Sequence, residues 1–242
     1  MKWSRLLIPL IALTSALAGT AYSVEPATSV VPTKLVETYL AASSAQSARL
    51  RGTSMEVEID ASLPKLKKHG RLQALRHISR LGRITYEIIH FEGDKSIKSS
   101  VIARYLAADT QAEPSDRSSL AVIPANYKFK YRGMAESVGR TVHVFQLTPR
   151  KKRVGLFKGE LWLDAETCLP VRESGRLVKL PSIFLRRVEF VREYEIHEGL
   201  AYPHSVESVV DTRLVGKAEL RVRYQNFSPE SSAVLTAAGA GQ

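Results

Sequence analysis

The chain has 242 residues, carries 35 Lys and Arg against 24 Asp and Glu, is 44% hydrophobic and contains a single cysteine. That apolar content is ample for a core and excludes a wholly disordered chain. The lone Cys168 excludes an internal disulfide framework, and only the N-terminus approaches the roughly 18 apolar residues of a spanning helix.

Residues 1–23 read as a secretory signal. Lys2 and Arg5 form a short basic start, residues 6–17 are mostly apolar, and Ala21-Tyr22-Ser23 supplies the small residues of a cleavage site. Pro9 and the modest apolar length argue against a permanent anchor, and no cysteine follows to take a lipid. The expected location is the periplasm, as a cleaved and non-lipidated protein. Removing Lys2 and Arg5 leaves 33 basic residues against 24 acidic, a net charge of +9. In an exported protein that excess is unsuited to nucleic acid. It fits an anionic membrane surface, an acidic face of an envelope transport complex, or simple solubility.

Residues 24–32 form a Pro, Thr and Ser-containing spacer, and residues 33–46 form an amphipathic helix, with Leu35, Val36, Tyr39 and Leu40 at helical spacing. From Gly52 the period changes to two. Met55, Val57, Ile59, Ala61 and Leu63 alternate with Glu56, Glu58, Asp60 and Ser62, which predicts a strand with one dry face and one wet face. After a turn at residues 64–68, strands are predicted at 71–78 and 84–91. A second helix is predicted at 96–108, with Val101, Ile102, Tyr105 and Leu106 on one side, and a polar loop at 109–119. Tyr127, Phe129 and Tyr131 then alternate with Lys128, Lys130 and Arg132. Strands follow at 141–147, 159–164, 171–178, 184–197, 205–214 and 217–227, and the Ala, Ser and Gly-rich residues 228–242 form a flexible tail.

No strand–helix–strand alternation appears, so a parallel sheet is disfavoured. About ten to eleven antiparallel strands with one apolar face must curl, and that face must be covered. Two helices are too few to cover it flat. The expected fold is mainly β: a curved antiparallel half-barrel, spanning residues 33–227, with helices plugging its concave face.

Few charged or polar residues are spaced for chemistry. The six histidines, at 69, 77, 90, 143, 197 and 204, form no closely spaced pair of the kind metal sites use, so no metal and no cofactor is expected. No Gly-x-Ser-x-Gly elbow is present. Glu56, Glu58 and Asp60 belong to a solvated strand face, and Asn226-Phe227-Ser228 is a glycosylation tripeptide common by chance. Arg150, Lys151, Lys152 and Arg153 are the densest charge in the chain, either a solvated hairpin tip or a contact for anionic lipid or an acidic partner. In the strand 184–197, Arg186 and Arg192 share the phase of Phe184, Val188, Phe190, Tyr194 and Ile196. An arginine on an apolar face must find a carboxylate, a carbonyl or a ligand anion.

Gly159-Glu160-Leu161-Trp162-Leu163-Asp164, then Thr167, then Leu169-Pro170-Val171-Arg172, resembles a strand–turn–strand of the LolA/LolB-like periplasmic lipoprotein carriers and outer-membrane lipoprotein-sorting proteins. Phe145-Gln146-Leu147-Thr148-Pro149, Gly199-Leu200-Ala201-Tyr202-Pro203 and the order of elements fit the same group. The resemblance covers residues 33–227 and is sharpest over 120–227. It implies a non-catalytic half-barrel with a helical lid over an apolar cavity for lipid or lipoprotein acyl chains, and relatives on this scaffold include envelope-stress sensors. The chain departs from the founding carrier in length, basicity and the 109–119 loop. The ligand-facing residues then expected are Leu35, Tyr39 and Leu40 from the first helix, Val101, Ile102 and Tyr105 from the second, and Val188, Phe190, Arg192 and Tyr194 from the strand. An exported carrier should have an almost wholly apolar concavity. The alternatives are an interaction module with a self-filled concavity, docking through its basic surface, and a hydrolase with a polar triad there.

Overall fold

The structure, a computed structural model, describes residues 30–110, 118–137 and 139–229. The signal segment, most of the spacer, the middle of the 109–119 loop and nearly all of the tail lie outside the described residues.

Helix α1 spans Val30–Arg49. It starts within the stretch read as a spacer, because Pro32 sits in the first turn, where a missing N–H costs nothing. The first three strands are β1 (Thr53–Leu63), β2 (Lys68–Ile78) and β3 (Ile84–Gly93). A helical segment, α2, runs through Lys95–Ile97, a π-helical turn at Lys98–Ile102 and Ala103–Thr110. The remaining strands are β4 (Tyr127–Ser137), β5 (Arg140–Pro149), β6 (Phe157–Asp164), β7 (Pro170–Leu177), β8 (Leu185–His197), β9 (Leu200–Thr212) and β10 (Lys217–Pro229).

All ten strands lie in one antiparallel sheet in the order β3-β2-β1-β10-β9-β8-β7-β6-β5-β4. The decisive joint is β1 with β10, which attaches the first meander to the last strand of the second. Strands β3 and β4 remain as edges, so the sheet is an open half-barrel and not a closed barrel. The expected mainly β architecture is what the chain adopts.

Strand alternation places the buried set of β1 (Met55, Val57, Ile59, Ala61 and Leu63) on the concave side, beside Ala218, Leu220, Val222 and Tyr224 of β10. Glu56, Glu58 and Asp60 point the other way and engage Asn226, Arg223 and Arg71. The π-turn has a packing consequence. Its wider turn brings residues five apart onto one face, and Ile97 and Ile102 are both fully buried.

Between β6 and β7 the backbones approach too closely for side chains. Gly159 pairs with Gly175; a Cβ on Gly159 would fall 1.9 Å from the Ser174 carbonyl oxygen, and one on Gly175 would meet the Phe157 ring at 2.6 Å. The Phe157 ring therefore lies over β7 and meets Phe190 edge-on, with centroids 4.9 Å apart. The turn that follows β6 is built by Asp164, whose Oδ1 accepts from the Glu166 and Thr167 amides and from the Thr167 hydroxyl at 2.8 Å.

Candidate functional site

The concave face carries two separate apolar clusters, each with its own helix. The first joins β1, β2, β9 and β10 to Ile97 and Ile102 of α2. The second joins Tyr127, Phe145, Leu147, Phe157, Leu161 and Leu163 to Val36 and Tyr39 of α1. The α1 stripe meets the sheet through side chains: Tyr39 packs on Phe129 at 6.4 Å between ring centroids, and Leu35 and Leu40 pack at the cluster's margin. Near its C-terminal end, Gln46 donates to the Ala201 carbonyl at 2.8 Å and accepts from the Ala201 amide.

Polar groups line the seam between the clusters. Arg192 Nη1 lies 2.8 Å from Glu173 Oε2 and 3.5 Å from the Tyr194 hydroxyl, while the guanidinium sits 5.7 Å from the Phe190 ring centre. Beside the first cluster, Arg76 Nε donates to Asp109 Oδ2 at 3.0 Å, the Tyr86 hydroxyl donates to the same oxygen at 2.7 Å, and the Tyr105 and Tyr224 hydroxyls share a hydrogen bond of 2.8 Å. Tyr105 and Tyr224 belong to the first cluster, so polar groups border both clusters. An almost wholly apolar lining is therefore not what the chain has. Each arginine lies on an apolar strand phase and has been given a carboxylate.

Burial dominates the titration of the lining phenols. Burial, reinforced by Glu173, pushes the Tyr39 phenol far above its ordinary value, and burial pushes Tyr127 up to about 12. Tyr86, Tyr105 and Tyr224 are raised chiefly by burial. These phenols stay protonated. Arg192 is held charged by Tyr194 and Glu173 against burial. The carboxylates of Glu173 and Asp109 are both engaged by arginine.

The ten residues expected to face a ligand divide between these regions. Leu35, Tyr39, Leu40 and Phe190 belong to the second cluster, and Val101, Ile102 and Tyr105 to the first. Arg192 and Tyr194 lie on the seam, and Val188 is half-buried on β8 opposite Val210. Arg186 departs from its phase. The register shifts between Leu185 and Arg187, and Arg186 and Phe184 are exposed. Arg150, Lys151, Lys152 and Arg153 are exposed between β5 and β6. Arg150 Nε is tied to the Pro124 carbonyl at 2.6 Å, whereas Lys151, Lys152 and Arg153 have no ionic partner among the described residues.

Three groupings escaped the sequence. Glu173 and Arg76 each sit on a buried strand phase, the signal already noted for Arg192, and could have been found by it. Glu195 contacts both His197 at 2.8 Å and His204 at 3.5 Å across the β8–β9 hairpin; seven-residue spacing gave no hint of it. No group of three His, Cys, Asp or Glu among the described residues is arranged to hold a metal ion.

No protein family matches the chain's sequence, and no curated protein matches it. Solved structures similar to it include a DUF1329 family protein from Desulfovibrio piger, at 10% identity and TM-score 0.45, covering 83% of this chain and 93% of that one. A LolA superfamily protein from Nitrosomonas europaea is similar at 12% identity and TM-score 0.42, over 81% and 94% of the two chains. An outer membrane lipoprotein-sorting protein domain from Vibrio parahaemolyticus is similar at 12% identity and TM-score 0.40, over 81% and 94%. The second and third carry the names of the grouping that the 159–172 cadence resembles. The half-barrel stands on its own strand pairing.

Proposed function

We propose that the protein is an exported, non-catalytic carrier or sensor that takes the acyl chain of a lipid or lipoprotein into the concavity. The supporting observation is the relation of α1 to the second cluster. One helical stripe covers the aromatic face of β4–β6, with Gln46–Ala201 as a hydrogen-bonded tie to the sheet. Lifting that stripe exposes Phe129, Phe145, Leu147 and Leu161 to whatever replaces it. An acyl chain gains about 0.8 kcal/mol per buried CH₂ and needs no specific polar partner. Return of α1 to its seat expels the chain, so one helix serves for loading and release. The polar seam supplies a place for a headgroup beside Arg192. Periplasmic location, signal cleavage and a role in envelope lipid or lipoprotein trafficking belong to this same reading.

The test is native mass spectrometry of the purified protein together with titration of a fluorescent fatty acid. Co-purifying lipid and saturable binding are expected; an empty protein that binds no fatty acid overturns the reading. A docking function is the second reading, favoured by the unpartnered Lys151, Lys152 and Arg153. They would meet an anionic membrane or an envelope complex at about 1 kcal/mol per charge.

A further inference from the structure

The convex face of the sheet carries a cleft that the concave reading does not use. It has a volume of about 830 Å³ and runs from Gln146 on β5, across β6 to β9, to Lys217 on β10. Its charges are unevenly satisfied. Glu160 accepts from Trp162 Nε1 at 2.9 Å, Glu189 pairs with Arg187, and Glu207 pairs with Arg221 at 2.8 Å. The cleft's cations, Lys158, Arg172, Arg176 and Lys217, have no ion pair or hydrogen bond from their side chains among the described residues.

In the register Arg176 stands opposite Glu189, Arg172 opposite Glu193 and Lys217 opposite Asp211, yet none of the three pairs closes into an ion pair among the described residues. Lys158 and Arg176 are direct register partners across β6 and β7, and like charges directly opposite one another are destabilising. The Arg172 guanidinium lies 5.1 Å from the centre of the Trp162 ring, and its Nε is buried with no partner. Stacking fixes its plane while leaving its donors unused.

We propose that this cleft is a docking groove for an extended acidic polypeptide segment, anchored by Lys158, Arg172 and Arg176 at one end and by Lys217 at the other. The dimensions choose the occupant. From β7 to β10 are three strand spacings, about 14 Å, too far for one phosphate or carboxylate to bridge; the whole groove, five spacings or about 24 Å, matches about seven extended residues. Between the cationic ends the lining includes Val191 and Val209, the latter 39% exposed, with Glu189 and Glu207 beside them already paired to Arg187 and Arg221, which suits apolar side chains between carboxylates. A recessed trough admits a chain, whereas a flat bilayer touches only its rim. The groove lies on the opposite face from the concavity, so it stands or fails separately from acyl binding.

Fluorescence anisotropy on the full-length protein tests it, using a labelled peptide of alternating Glu and Val, about seven residues long, and a Lys–Val counterpart. The Glu–Val peptide should bind, with affinity falling as salt rises, and the Lys–Val peptide should not. Lys158→Gln/Arg176→Gln should weaken binding about tenfold or more and Lys217→Gln about threefold, since each removes charge-assisted contacts. Fatty-acid binding should be unchanged in both, and melting temperature should not fall, since the double variant removes a like-charge pair and these side chains lie at the surface. Unchanged peptide affinity in the double variant overturns the proposal. So does full displacement of the peptide by inorganic phosphate, which would mark a single-anion site. Retention on phosphatidylglycerol vesicles without peptide binding also overturns it, in favour of a membrane contact.

Discussion

Glu173 on β7 and Arg192 on β8 stand directly opposite one another in the sheet register, with their charged groups 2.8 Å apart on the concave face. Glu173 is 6% exposed, while the Arg192 side chain keeps 41% of its surface accessible. The pair is thus asymmetric: the acid is committed to the protein, and the guanidinium keeps accessible surface.

That asymmetry predicts what each substitution does. Arg192→Leu leaves a buried carboxylate without its counter-charge and should cost about 2–3 kcal/mol, below the usual cost for a buried pair because the arginine is partly solvated. Replacing both residues, Arg192→Leu with Glu173→Leu, should recover more than half of the loss. Urea denaturation of the three proteins checks this. A single variant as stable as the parent would show that the pair contributes nothing.

The competition between α1 and ligand predicts an inverse relation between stability and affinity. Val36→Ala and Tyr39→Ala remove buried packing, so the seated helix should weaken by about 2 kcal/mol or more. Apparent affinity for a fluorescent fatty acid should then rise, because less of the binding energy goes to displacing the helix. Phe145→Asp, on the receiving face, should abolish binding. Lower affinity in the α1 variants with the fold intact would mean that the helix is part of the seat and not its cover.

Asp164 makes stability depend on acid. Burial raises its pKa, but the Thr167 amide and hydroxyl, the Glu166 amide and Arg140 outweigh burial and leave it below the ordinary carboxylate value. The unfolded chain therefore binds the proton first on acidification. Asp164 contributes its full stabilisation above the unfolded value of about 3.9 and loses it as pH falls through the lower folded value. Thermal melts should show the parent more stable than Asp164→Asn at neutral pH, with the difference shrinking below about pH 4. A gap independent of pH would refute the ionic origin.

The glycine pair of β6 and β7 predicts a sharp contrast. Gly175→Ala drives a methyl into the Phe157 ring at 2.6 Å and the Lys158 carbonyl at 2.7 Å, and should cost about 2 kcal/mol or more. Gly133→Ala meets nothing within 4 Å, and only its φ of +114° opposes a side chain. It should cost about 1–2 kcal/mol. Chemical denaturation of both variants decides whether the close approach or the backbone angle matters more.

Much of the sheet was legible because alternation is a local property. The Met55 to Leu63 run declares a strand with one dry face without reference to any partner, and the residues 217–227 do the same for β10. The aromatic face of Tyr127, Phe129 and Tyr131 was likewise written in its own spacing. Partners were not legible. β1 pairs with β10, across most of the chain, and nothing within either strand names the other; the order of strands settles it. Arg192 announced by its phase that it needed an anion, but only the β7–β8 register made Glu173 that anion. Arg186 shares the phase of Arg192 by counting and leaves it in space, because a register shift between Leu185 and Arg187 breaks the count. Sequence period assigns each side chain to a face; pairing, bulges and the π-turn decide which residues meet there. The division of the concavity into two clusters with a charged seam, and the convex cleft behind it, therefore belong to the tertiary structure alone.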